Sequence, residues 1–333
     1  VTNAGELGKD YSLSVLMGNG NGTFQSAVSY SAGEGPTGVS VADFNGDNNM
    51  DVVVTNYHSG NSINPGNVSL WLGNGDGAFG APVMYSVGYG PTSVATEDFN
   101  GDGNQDLAVT NWGNSNSVSV LLGNGNGAFQ PTVNYAAGNG PYFVAVGEFN
   151  GDNKVDLAVA NFRYSDVEST VSILLGNGDG TFGTPQNFRV GSQPDSLAVA
   201  DFNGDQKSDL AVGDFSSGRV SILVGNGDGT FQNLENYGAG SPSSIVVADF
   251  NGDTHLDLAV AAGSLVGLLS GMGDATFGQG VFYPAAEDLN SAVAGDFNGD
   301  GQPDLAIAGG SQDSVSIWIN SCWWNNYLPA LLR

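Results

Sequence analysis

The chain has 333 residues, 34 of them acidic and 7 basic, for a formal net charge of −27. A surface of that sign repels nucleic acid and anionic membranes, which excludes both as partners. With 40% hydrophobic residues, 52 glycines and no run of helix formers at helical spacing, the composition is that of a folded, turn-rich, all-β protein.

The chain opens inside a repeat. Val1–Asn3 reads as the tail of a second strand, and Tyr11–Gly18 and Gln25–Ser31 read as the third and fourth strands of the same repeat. A segment close to Asp-Phe-Asn-Gly-Asp then recurs, with its first acid at Asp43, Asp98, Glu148, Asp201, Asp249 and Asp296, spaced 47 to 55 residues apart. Between these lies a turn close to Gly-Asn-Gly-Asp-Gly-Thr-Phe, at Gly18–Phe24, Gly73–Phe79, Gly123–Phe129, Gly176–Phe182, Gly225–Phe231 and, more loosely, Gly271–Phe277. In one full repeat, Ser93–Phe99, Leu107–Asn111, Val118–Gly123 and Thr132–Ala137 read as four strands rich in Val, Ala and Leu. The phenylalanine closing each turn (Phe79, Phe129, Phe182, Phe231) is expected to pack between neighbouring repeats, as are Trp71 and Trp318 in third strands. The last repeat has three strands and ends near Asn320; residues 321–333 lie outside the pattern and carry Trp323 and Trp324.

Four strands in a repeat of this length predict a β-propeller, because one such sheet cannot bury both faces alone and stacking around an axis covers them. Residues 1–320 form one propeller domain on this reading, and 321–333 a tail. The strands counted number 25, against 24 for six blades and 28 for seven. Six fits by count with one strand spare; seven leaves the first blade without its inner strand. The single cysteine, Cys322, allows no internal disulfide, so metal is the expected staple.

The recurring loop offers that staple. Asp43, Asn45, Asp47 and Asp51 put side-chain oxygens at positions one, three, five and nine, Asn49 offers its carbonyl at position seven, and Gly46 allows the sharp wrap. The set repeats as Asp98, Asn100, Asp102, Asn104 and Asp106, then Glu148, Asn150, Asp152, Lys154 and Asp156. It continues as Asp201, Asn203, Asp205, Lys207 and Asp209, then Asp249, Asn251, Asp253, His255 and Asp257, then Asp296, Asn298, Asp300, Gln302 and Asp304. A ligand set that is all oxygen, with no Cys or His side chain among the ligands, argues for Ca²⁺ over zinc or copper, at about six sites, and six divalent ions would neutralise nearly half of the charge excess. Position seven varies freely, as expected if only its backbone binds.

These loops, the strand pattern and the glycine-rich turn resemble the FG-GAP and VCBS repeat family, which includes integrin α propellers, fungal propeller lectins and bacterial secreted proteins. The resemblance covers about residues 1–320. It implies seven blades with the first incomplete, structural calcium in the loop between first and second strands, and an extracellular location, secreted or at the cell surface. It does not name a ligand.

The loops at the other end of the strands are the expected binding face. The longer ones, residues 57–66, 112–117, 162–170 and 215–219, carry Tyr57, His58, Trp112, Phe162, Arg163 and Tyr164, aromatic and polar groups suited to stacking on sugar rings. The expected function is a binding or adhesion module for a glycan or an extracellular protein. No nucleophile motif stands out and basic residues are few, so no enzyme is expected. The alternative is a surface or fibre protein that self-assembles as a homo-oligomer or filament through open blade edges.

Overall fold

The computed structural model describes residues 1–3, 11–57, 65–113, 115–162, 169–232, 235–285, 288–310 and 314–321. Seven antiparallel sheets follow one another along the chain, each built from consecutive strands. The first holds β1 (Thr2–Asn3), β2 (Ser12–Val15) and β3 (Val28–Ser31). The second holds β4 (Pro36–Ala42), β5 (Asp51–Asn56), β6 (Asn67–Trp71) and β7 (Val83–Ser86). The third holds β8 (Pro91–Glu97), β9 (Asp106–Asn111), β10 (Ser117–Leu121) and β11 (Val133–Ala136). The fourth holds β12 (Pro141–Gly147), β13 (Asp156–Asn161), β14 (Thr170–Leu174) and β15 (Gln186–Arg189). The fifth holds β16 (Pro194–Ala200), β17 (Asp209–Asp214), β18 (Arg219–Leu223) and β19 (Glu235–Gly238). The sixth holds β20 (Pro242–Ala248), β21 (Asp257–Ala262), β22 (Leu265–Leu269) and β23 (Val281–Pro284). The seventh holds β24 (Leu289–Gly295), β25 (Asp304–Gly309) and β26 (Ser314–Trp318).

These are the seven blades of a β-propeller, which replaces the six-blade count. The described strands number 26. The strand that the count lacked is β1, whose two residues pair with β2 as Thr2↔Leu13 and Asn3↔Ser12. The first sheet has no strand in the inner position, as expected for seven blades, and the seventh has no fourth strand among the described residues.

The chain divides into two compact units. One comprises residues 1–15, 27–163 and 170–188; the other comprises residues 16–26, 164–169 and 189–333. In the first, β4 lies against β8 and β8 against β12. In the second, β16 lies against β20 and β20 against β24. First strands are therefore neighbours from blade to blade. Second strands such as β5, β9, β13, β17 and β21 are buried along their whole length. That explains why they read as runs such as Leu-Ala-Val instead of alternating: neither face is open to water.

Fourth strands are exposed except at their aromatic residue, which in four sheets meets the turn phenylalanine of the next sheet. Tyr30 meets Phe79, Tyr85 meets Phe129, Tyr135 meets Phe182 and Tyr237 meets Phe277, each edge-on at 5.0 to 5.6 Å. Phe79, Phe129 and Phe182 thus pack between repeats as expected. Trp71 is buried against Leu13 of the first sheet, and Trp318 meets Tyr283 of the sixth.

In sheets two to six the first glycine of the turn is required by close approach. A Cβ on Gly73, Gly123, Gly176, Gly225 or Gly271 would lie 2.1 to 2.3 Å from a backbone carbonyl oxygen of the preceding loop. Backbone cannot swing aside as a side chain does, so Gly123→Ala is expected to cost about 1–3 kcal/mol, read as a lower urea midpoint at unchanged m-value.

Candidate functional site

All six loops join a first strand to a second strand, in sheets two to seven. Within each loop the acidic side chains are folded onto the loop's own amides. Asp43 Oδ1 accepts from the N–H groups of Asn45, Gly46 and Asp47, and Oδ2 accepts from Asn48. Asp98 repeats this set with Asn100, Gly101, Asp102 and Gly103. Glu148 reaches the same first three amides through Oε1 alone. The position-five carboxylate accepts the position-seven N–H at 2.8 to 3.1 Å in every loop. Two left-handed residues make the wrap. One is the expected glycine at position four; the other is position six, where Asn48, Asn153, Gln206 and Thr254 hold φ of 60 to 73°. Sequence reading missed the second because its residue type varies.

The position-nine aspartates do something different. Asp51, Asp106, Asp156, Asp209, Asp257 and Asp304 are at most 1% exposed. Each Oδ2 accepts from the position-two phenylalanine N–H at 2.9 to 3.0 Å. Each Oδ1 accepts from the turn after the third strand, at Gly73, Gly123, Gly176, Gly225, Gly271 or, in the last sheet, Asn320. One buried carboxylate therefore ties the loop to the turn beside it. Burial pushes these carboxyls up, Asp106 and Asp257 to about 6; the bonded amides oppose it, and the charges at positions five and one add to it.

Among the described residues, no three His, Cys, Asp or Glu side chains already stand together as a metal cage. The chemistry of the donor set nevertheless fits a hard cation. Each loop gathers three carboxylates and an amide within nine residues, and the carboxylates repel one another at position nine.

Position seven is more than backbone. Its side chain covers the second glycine of the turn, as Asn49 does at Gly75, Lys154 at Gly178, Lys207 at Gly227 and His255 at Gly273. Lys154 and Lys207 also reach back to Asp152 and Asp205 at 3.3 and 3.4 Å. These pairs are exposed and contribute little stability.

At the other end of the strands, Tyr57, Trp112 and Phe162 directly follow β5, β9 and β13. Tyr57 and Trp112 have ring centroids 6.2 Å apart. Phe162 is buried and stacks at 5.2 Å on Tyr142, a residue that sequence reading did not select and that is 37% exposed. Backbone bonds hold the row in place: Trp112 N–H donates to Gly90 O, and Phe162 N–H to Gly140 O. His58, Arg163 and Tyr164 lie outside the described residues. Sequence reading also missed the half-buried Asp195 and the buried Asp214, acids at this end of the fifth sheet. Among the described residues, no helix is long and apolar enough to cross a membrane.

The chain matches the FG-GAP-like repeat over residues 4–54, 59–109, 98–159, 148–212 and 201–260, and the FG-GAP repeat over 289–319. No curated protein matches it. Among solved structures it is similar to a lectin of Agrocybe aegerita, described as recognising non-reducing terminal N-acetylglucosamine. The TM-score is 0.59 at 19% identity, over 95% of this chain and 89% of the lectin. A functionally unknown protein from Desulfotomaculum acetoxidans is similar at a TM-score of 0.59 and 14% identity, over 92% of this chain and 89% of that one.

Proposed function

The chain belongs to the FG-GAP repeat family, and from that premise we propose that it is an extracellular, calcium-stabilised propeller that binds glycan. The observation that carries the glycan reading is the aromatic row of Tyr57, Trp112, Tyr142 and Phe162 at the strand ends opposite the acidic loops. Aromatic faces held by backbone bonds bind sugar rings with little ordering cost. The fold shared with a glycan-recognising lectin supports the same reading.

Calcium is the structural partner in this proposal. Asp43, Asn45, Asp47 and Asp51 with the backbone of Asn49 would hold one ion, and the equivalent residues of the other five loops would hold theirs. The ion supplies a charge-neutralising crosslink. The chain's own amides preshape the loop, and the position-nine carboxylate transmits its order to the neighbouring turn.

Glycan-array binding by the full chain tests the ligand reading. Trp112→Ala is expected to cost about 2 kcal/mol, ~30-fold in Kd, with an unchanged melting temperature. Unaltered array binding by that variant, or no glycan bound by the parent, would remove the proposal. The second reading, self-assembly, is favoured by the uncovered outer edge of β26 among the described residues. Light scattering that finds one monomeric mass at every concentration would eliminate it.

A further inference from the structure

One position of the second strand carries a polar side chain in four sheets, and in one of the four it is an acid. The last residue of β5, β9 and β13 is a buried asparagine: Asn56, Asn111 or Asn161. Its Nδ2 donates to a third-strand serine, Ser69, Ser119 or Ser172, at 2.8 to 2.9 Å. In the third and fourth sheets that serine passes its own proton on, to Asn134 Oδ1 and Asn187 Oδ1, each at 2.6 Å. A hydroxyl has one proton, and in this relay the asparagine amide donates to the serine, which leaves the serine proton free for the next acceptor.

In the fifth sheet the asparagine is replaced by Asp214, which is 0% exposed. The serine and the acceptor stay: Ser221 Oγ bonds both Asp214 Oδ2 and Asn236 Oδ1. With Asp214 ionised, two acceptors compete for one hydroxyl proton. Its second oxygen, Oδ1, is buried with no partner, as is Oδ1 of Asn56, Asn111 and Asn161, and that place costs an ionised carboxylate more than a neutral amide. A proton on Asp214 restores the relay of the sister sheets, carboxyl to serine to asparagine.

A second acid stands beside it. Asp195 follows Pro194, which pairs with Asp214, and its own Oδ1 is buried with no partner. The same place holds Thr37, Thr92 and Ser243 in other sheets, whose hydroxyls donate to carbonyls of the next sheet at 2.6 to 3.1 Å. Among the described residues, the other charged groups nearby are Arg219, opposite Asp214 on β18, and Arg189 at the end of β15. Glu235 lies at the far end of β19 and bonds Tyr237, and β20 carries no charged residue.

We propose that Asp214 is a proton-binding group, held in its neutral acid form as the donor of an Asp214–Ser221–Asn236 relay, and that it makes the fifth blade pH-sensitive. Burial pushes its carboxyl up to about 6, against the Ser221 hydroxyl, the Gly191 N–H and the Arg219 charge. Burial, with the Asp214 charge behind it, pushes Asp195 to about 8. A carboxyl raised on folding binds more protons folded than unfolded. Its stabilisation is present below the unfolded value near ~3.9 and is lost as pH rises through the folded value.

The test compares the full chain with Asp214→Asn by denaturant unfolding from pH 4 to 8 at constant calcium. The amide does not titrate. The folding constant of the variant relative to the parent is expected to rise about tenfold per pH unit up to pH 6 and then level off. The infrared difference spectrum at pH 5, parent minus Asp214→Asn, should show one buried neutral-carboxyl band beyond those that Asp195, Asp106 and Asp257 give in both proteins. A ratio independent of pH, or a difference spectrum without that band, would overturn the proposal. A variant that failed to fold would also count against it, since three sister sheets carry the amide.

Discussion

Removing calcium will lower the melting temperature of this protein more than any single surface substitution. An ion that binds only the folded state stabilises it by about 2.7 kcal/mol when its free concentration is 100 times its Kd. Six loops of the same design lose that contribution together. Calorimetry at pH 7 with and without a calcium chelator is the measurement, and magnesium should restore little, because it resists giving up its water shell to a flexible oxygen loop. An identical melting curve with the chelator present would end the calcium assignment. The effect should fade in acid. Asp106 and Asp257 have carboxyls raised to about 6, and a ligand carboxylate must shed its proton before it binds. Calcium stabilisation is therefore expected above that pH and lost progressively below it.

Asp106→Ala is the second large effect, and it separates two roles within one loop. The side chain satisfies the buried N–H groups of Phe99 and Gly123. Truncation leaves both without an acceptor, at about 1–3 kcal/mol each, or about 2–6 kcal/mol in all. That cost should persist in the chelator, because it does not depend on the ion. Asp102→Ala, at position five and outside the core, should cost stability only while calcium is present. Equal losses for the two variants under both conditions would show that position nine has no separate structural role.

Much of this architecture is legible in the sequence because the repeat states it six times. A loop that returns with acids at the same offsets announces a shared local geometry, and the strand–loop–strand order follows from the turn residues between them. Asp214 shows where legibility stops. In the sequence it is one more aspartate in an acidic chain. Once register places it level with Asn56, Asn111 and Asn161, its proton becomes the anomaly. Position nine shows the same limit: its carboxylate reads as a metal ligand, while its bond to a Gly amide comes from a turn 14 to 22 residues further on.

By itself, then, the sequence determined the all-β class, the placement of the acidic loops between first and second strands, and the phenylalanines that join neighbouring sheets. Each of these is local, set by backbone preferences and by spacing within one repeat. Tertiary structure alone decided the number of blades, the burial of the position-nine acids, the partnership of Phe162 with Tyr142 and the surroundings of Asp195 and Asp214. Those depend on which strands lie side by side, and a hydrogen bond or a desolvated charge exists only after distant segments have been brought into contact.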